Sequence, residues 1–148
     1  MQTFLPYEDF AMTAQVLDRQ RLGKQRVETL QVLNALSNPD YGWNNHPAVK
    51  MWRGHRGSLM TYQEAICNEW TSRGYKDTCL EKSRLIVADI PASEWSLPYW
   101  MGNQELHLSH RSNLVRKLPE HYGTIWDVPN DLPYVWPEDI TTGVMING

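Results

Sequence analysis

Cysteine is scarce in this chain: Cys67 and Cys79 are its only two in 148 residues. They form no CxxC pair and have no metal-type partner close in sequence, so free thiols in a cytosolic protein are expected rather than a disulfide scaffold or a sulfur-bound zinc. Long apolar runs are missing as well. Nothing approaches the length that crosses a bilayer, and the opening MQTFLPYEDF has neither the basic start nor the apolar centre of a secretory signal. There is no Walker-type glycine loop, no Rossmann fingerprint, no GxSxG and no HExxH. No internal repeat is visible, and no cofactor is expected.

What is present is a globular composition, 41% hydrophobic and 21% charged, at a length that suits one domain over residues 1–148. Seven Trp stand beside only two Phe. Indole buries much apolar area but keeps an N–H that needs a partner, and it also stacks on bases; core packing is the default reading for any one of them. The net charge of −3 hides a gradient. Residues 1–60 carry seven Lys/Arg against five Asp/Glu, residues 61–118 balance at seven each, and residues 119–148 carry five acids and no base. A locally basic N-terminal portion can bind phosphate in a chain that is acidic overall.

The periodicity predicts an all-α protein with long irregular connections and no evident strand. Asp9 is placed as the cap of a short helix to about Leu17, and a longer helix is expected from Asp18 to Leu36, with Val27, Leu30, Leu33 and Leu36 as its core stripe. The stretch SNPDYGWNNHP reads as a loop. One long helix is expected from about Ala48 to Arg73, stopping at Gly74. Asp77 is a cap for a shorter helix, and Asn103 for another that ends near Lys117. Residues 1–122 form the helical body. Residues 123–148 form an acidic tail rich in Pro and aromatics, which is expected to wrap onto that body.

Two segments concentrate candidate chemistry. Arg19, Arg21, Lys24 and Arg26 open the long helix. Cations there oppose the helix dipole, so either a phosphate bridges them or they form a solvated face paired with Asp18 and Glu28. The loop Trp43-Asn44-Asn45-His46-Pro47 leads into Trp52 and Arg53. Amides such as Asn45 can read base edges, His46 can move protons near neutral pH, and tryptophan can stack; alternatively an Asn merely caps the loop and Trp43 plugs the core. His107 and His110 lie one helical turn apart, but two histidines without a third ligand do not define a metal site, and none is expected. His110 and Arg111 are candidate ligand contacts.

The runs LDRQRLGKQRVETLQVL and YGWNNHPAVKMWRG give a sharper lead, with Arg73-Gly74-Tyr75, Lys76-Asp77-Thr78, the later Ser109, Leu114, Pro119 and Tyr122, and DLPYVWP near the end. Together they resemble a divergent branch of the pyrimidine-dimer DNA glycosylase family, the phage endonuclease V type. The resemblance implies a compact helical protein with its N-terminus at the site, acting on kinked duplex DNA with a displaced base. It implies an α-amine that attacks the sugar carbon to form an imine, a glutamate on the first long helix, and arginines on that helix that hold phosphates. Arg26 matches a phosphate-binding arginine, while Arg19 and Arg21 match loosely. Alignment through Arg26-Val27 puts Gly23 at the glutamate's position, leaving Glu28 as the carboxylate on that helix. Gln2 is a large penultimate residue, so Met1 is expected to stay and to present the amine.

Three function classes follow. One is a DNA glycosylase/AP-lyase-like enzyme with Met1, Glu28 and His46 as catalytic candidates, binding DNA through the basic helix and the Trp/Asn/His loop. Another is a catalytically inactive module that keeps the pocket and sequesters a nucleotide or nucleotide-derived small molecule. A third, a partner-docking helical protein, would use the aromatic tail. No membrane partner is expected, and the oligomeric state stays open.

Overall fold

The described residues form seven α-helices, one 3-10 turn and a two-residue antiparallel pairing. The computed structural model describes residues 1–139 together with 144 and 145; the rest of the tail expectation lies outside them. In chain order the helices are α1 (Phe10–Val16), α2 (Arg19–Ser37), α3 (Pro47–Lys50), α4 (Arg56–Ser72), α5 (Cys79–Ile86), α6 (Gln104–Lys117) and α7 (Pro119–Tyr122). Glu138–Asp139 pairs with Val144–Met145, an element not foreseen in the sequence. No helix among the described residues is long and apolar enough to cross a membrane.

The caps explain where the helices begin. The Asp9 side chain accepts from the Met12 N–H and starts α1; Asn103 accepts from the N–H groups of Glu105 and Leu106 and starts α6. Asp18 caps α2 by accepting from the Arg21 N–H, and it is held in turn by the Tyr122 hydroxyl, which also accepts from the Asp18 N–H at 2.9 Å. Asp77 accepts from the N–H groups of Cys79 and Leu80, satisfying donors that α5 cannot use internally. At the other end of α1, the Arg73 guanidinium donates to the carbonyls of Ala14, Gln15 and Leu17, a cation on the negative end of a helix.

Residues 2–6 are buried in the body and belong to no helix or strand. Buried backbone groups must still be paired, and side chains do this work. Gln25 accepts the Phe4 N–H at 3.0 Å and donates to the Gln2 carbonyl at 2.8 Å. Tyr62 donates to the Phe4 carbonyl at 2.6 Å, and Arg111 to that of Pro6 at 2.7 Å. His110 Nδ1 accepts the Leu5 N–H at 2.8 Å, while His107 Nδ1 donates to the Leu5 carbonyl at 2.7 Å. The Trp52 indole N–H donates to Thr3 Oγ1 at 3.0 Å.

This threading corrects two expectations. The buried face of α2 carries Leu22, Gln25, Thr29, Val32 and Leu33, so it includes two polar residues that a hydrophobic pattern passes over. Val27 is instead 44% exposed and lines an open groove with Leu30, Leu85 and Ile86. The single helix expected from Ala48 to Arg73 is two. Gly54 has φ 81°, a left-handed conformation that ends α3's turn and redirects the chain into α4, with Trp52 buried at the bend.

One cluster of buried side chains runs from Phe4 to Tyr122, with Leu22 and Leu33 of α2 and Leu59 and Ile66 of α4 at its centre. The described part of the tail lies on α6: Val135 N–H donates to Ser109 Oγ, Leu132 N–H to Ser112 Oγ, and Asn113 Nδ2 to the Leu132 carbonyl. Trp126 stacks on Tyr122 at 5.5 Å. Indole and phenol rings thus anchor a segment that prolines keep out of regular structure.

Candidate active site

The threaded N-terminus brings Met1 to the exposed flank of α2. Glu28 Oε2 accepts the Gln2 N–H at 3.0 Å, and Glu28 Oε1 lies 3.6 Å from Lys24 Nζ. Around them opens a cavity of about 280 Å³. Arg21, Lys24 and Glu28 reach it from α2, Met1, Gln2 and Phe4 from the N-terminal segment, Lys117 from the end of α6, and Tyr134 from the tail. Arg21, Lys24 (with Gln25) and Glu28 are spaced at three or four residues, one stripe of a helix.

The electrostatics are lopsided. Glu28 is the one carboxylate among the described lining residues, against Arg21, Lys24, Lys117 and the terminus. Burial lowers the Lys117 pKa, and the neighbouring charges of Arg21, Arg116 and Lys24 lower it further, while Glu28 opposes them. Crowded cations of this kind favour an anion. Burial raises the Tyr134 hydroxyl to about 12.

His46 caps α3, its Nδ1 accepting the Ala48 N–H at 3.0 Å, so the neutral ring carries its proton on Nε2. Burial lowers the His46 pKa, the N-terminal amine lowers it further, and Glu28 works in the opposite sense. The ring therefore shares the electrostatic environment of Met1 and Glu28. Trp43 meets it edge-on at 5.9 Å. Trp43 is 56% exposed and has φ 75°, a conformation that costs a bulky residue roughly 1–2 kcal/mol. The loop behind it is braced, since Asn44 Nδ2 donates to the carbonyls of Pro39 and Tyr41, and Arg53 donates to the Asn44 carbonyl at 2.8 Å.

The structure gathers Met1, Arg21, Lys24 and Glu28 of the candidates named from sequence around the cavity; His46 feels the charges of the terminus and Glu28 without lining it, and the others are dispersed. Arg26 is turned to the opposite side of α2, where it pairs with Asp77 at 2.6 Å and lies 4.4 Å over the Trp70 ring. Gly23 shares that side, and a Cβ there would stand 2.8 Å from Trp70; a glutamate at this position would meet an indole and not the cavity. Trp52 and His110 are buried in service of the N-terminal segment, and Arg111 holds Pro6. Arg19 and Asn45 are exposed and do not line the cavity. His107 Nε2 accepts the Gly102 N–H at 3.0 Å, so its two ring nitrogens serve backbone groups.

Lys117 and Tyr134 were not singled out as site residues in the sequence, and Gln2 was noted only for its size next to Met1. Lys117 stands 89 residues after Glu28, at the end of a helix where a basic residue is expected for dipole reasons alone, so no local pattern marks it.

A family model described as pyrimidine dimer DNA glycosylase matches residues 1–83, the stretch that holds Met1, all of α2 and the loop bearing Trp43 and His46. No curated protein matches the chain, and no solved structure does.

Proposed function

The chain belongs to the pyrimidine dimer DNA glycosylase family, and on that premise we propose that it is a glycosylase/AP-lyase-like protein whose nucleophile is the α-amine of Met1. The observation that carries this reading is the 3.0 Å hydrogen bond from the Gln2 N–H to Glu28. It fixes the residue next to Met1 against the cavity's carboxylate, although that carboxylate does not come from the family's aligned position.

An α-amine suits the task because a primary amine condenses with an aldehyde to form an imine. At an abasic site the nitrogen adds to the C1′ aldehyde, and water leaves as the imine forms. Glu28 is placed to take the proton that the nitrogen or the adjacent sugar carbon loses. Arg21, Lys24 and Lys117 hold the flanking phosphates, while the exposed Trp43 and the His46 ring beside it offer a further contact from the loop before α3. Borohydride reduction of the protein on abasic duplex DNA tests this. A covalent adduct that disappears when the α-amine is blocked is expected; absence of an adduct on DNA that the protein binds removes the imine mechanism.

A second reading rests on the size of the site. A cavity of about 280 Å³ is at the small end for ligand pockets and suits a single nucleotide. In that case the protein binds a nucleotide or nucleotide-derived molecule without chemistry, and such a ligand would be recovered intact after incubation.

A further inference from the structure

Gln2 is 6% exposed, and its two amide ends are used unequally. Oε1 accepts the Thr3 N–H at 2.8 Å, which fixes the orientation of the amide, because only the oxygen can accept. Nε2 is buried and has no hydrogen-bond acceptor. The amide lies close enough to Tyr134 to favour its phenolate, but makes no hydrogen bond of normal geometry to it. A buried donor left unpaired is costly, and Gln2 lines the cavity beside Met1.

We propose that Gln2 Nε2 donates to a carbonyl oxygen of a nucleobase held in this cavity, which Phe4 and Tyr134 also line. The assignment rests on this cavity being the substrate site, and it names what the site reads. The charge in the cavity is carried by Arg21, Lys24 and Lys117, which match the phosphate of a nucleotide. Gln2 is a neutral donor in a cavity that Phe4 and Tyr134 also line, and a neutral donor with aromatic surface in the same site matches a flat ring with an acceptor on its edge. A keto base such as thymine, uracil or guanine satisfies the donor. Adenine has no carbonyl, and its amino group would set donor against donor.

The test is titration calorimetry of the full chain with thymidine 5′-monophosphate and 2′-deoxyadenosine 5′-monophosphate, on wild type, Gln2→Leu and Gln2→Glu. Both variants keep a large second residue, and Gln2→Glu also keeps the acceptor for Thr3. Wild type is expected to prefer the thymidine nucleotide by about fivefold or more, the worth of one net hydrogen bond. Gln2→Leu loses the preference and Gln2→Glu reverses it. Binding of neither nucleotide, equal binding by wild type, or a preference that survives in both variants overturns the assignment. Imine trapping on abasic DNA is scored separately, because an abasic sugar offers no carbonyl-bearing base. Trapping without base preference defeats this inference and leaves the reaction standing; preference without trapping does the reverse.

Discussion

Glu28 accepts the backbone N–H of Gln2 at 3.0 Å across 26 residues of sequence. The bond ties the first residues to the middle of α2 and leaves Met1 at the mouth of a cavity ringed by cations. It is the last contact in a series. Gln25 holds two groups of residues 2–6, and Trp52, Tyr62, His107, His110 and Arg111 one each, so the position of Met1 is set by α2, α4 and α6 together and not by a single neighbour.

Glu28→Gln should keep the bond to Gln2, because an amide oxygen still accepts, while removing the proton acceptor. Steady-state strand cleavage at abasic sites should fall by about 10²-fold or more, with a melting temperature near that of wild type. Unchanged cleavage would show that another group takes the proton.

Arg26→Ala should act on stability and not on DNA. The Arg26 and Asp77 side chains are 14% and 5% exposed. Burial pushes the Asp77 pKa up, but the Arg26 hydrogen bond and two backbone N–H groups outweigh it and hold the carboxyl below its usual range. Removing the cation strands a buried carboxylate, a loss of about 3 kcal/mol by chemical denaturation. The salt dependence of DNA binding should not change. A shallower salt slope for this variant would return Arg26 to the phosphate contacts.

Lys117→Met should weaken duplex binding across sequences and reduce the slope of log K against log salt by about one, the signature of one lost phosphate contact. The same slope in variant and wild type would place Lys117 outside the interface.

Trp43→Ala should reduce affinity for abasic duplex by roughly five- to a hundredfold if the indole stacks on a base. Stability should be unchanged or raised in Trp43→Gly, since glycine adopts φ 75° without strain. Equal DNA affinity in both variants and wild type would leave Trp43 without a role in binding.

Acid should unfold the protein through α6. Burial lowers the His110 pKa to about 3, with the His107 charge adding to the effect; burial also lowers His107. In the unfolded chain both rings titrate near 6.5, so the unfolded state binds more protons between that value and about 3. The stability they contribute is complete above 6.5 and is lost as pH falls through this window, at about 1.4 kcal/mol per pH unit for a ring that stays neutral. Denaturant midpoints measured from pH 7 to pH 4 check this, and His110→Asn should flatten the curve. A wild-type midpoint that does not move over the range would contradict buried neutral rings.

Much of the architecture was legible because it is local. Asp9 and Asn103 are short polar residues ahead of helical stretches, and each caps the helix expected of it, while Asp18 caps the long helix that was expected to begin there. The run LDRQRLGKQRVETLQVL carried the family resemblance, and it marked Arg19, Arg21, Lys24 and Arg26 as one basic stretch with Glu28 as the carboxylate on the same helix. What sequence could not order was the sidedness of α2. Arg21 and Arg26 are equivalent as basic residues of one helix, and only Asp77 and Trp70, about fifty residues later, turn Arg26 inward. The core stripe was misread for a related reason. Gln25 is buried because the N-terminal segment needs hydrogen bonds there, and Thr29 because its hydroxyl accepts from the Gln25 amide; a demand made by a distant segment leaves no period in the helix that meets it. Lys117 and Tyr134 join the cavity in the same way, by the return of α6 and the tail to residue 1. The sequence by itself determined the helices, their caps and the family, since propensity and pattern act over a few residues. The tertiary structure alone decided which cations face the N-terminus and which are locked in ion pairs, because that choice depends on burial and on charges brought together from far along the chain.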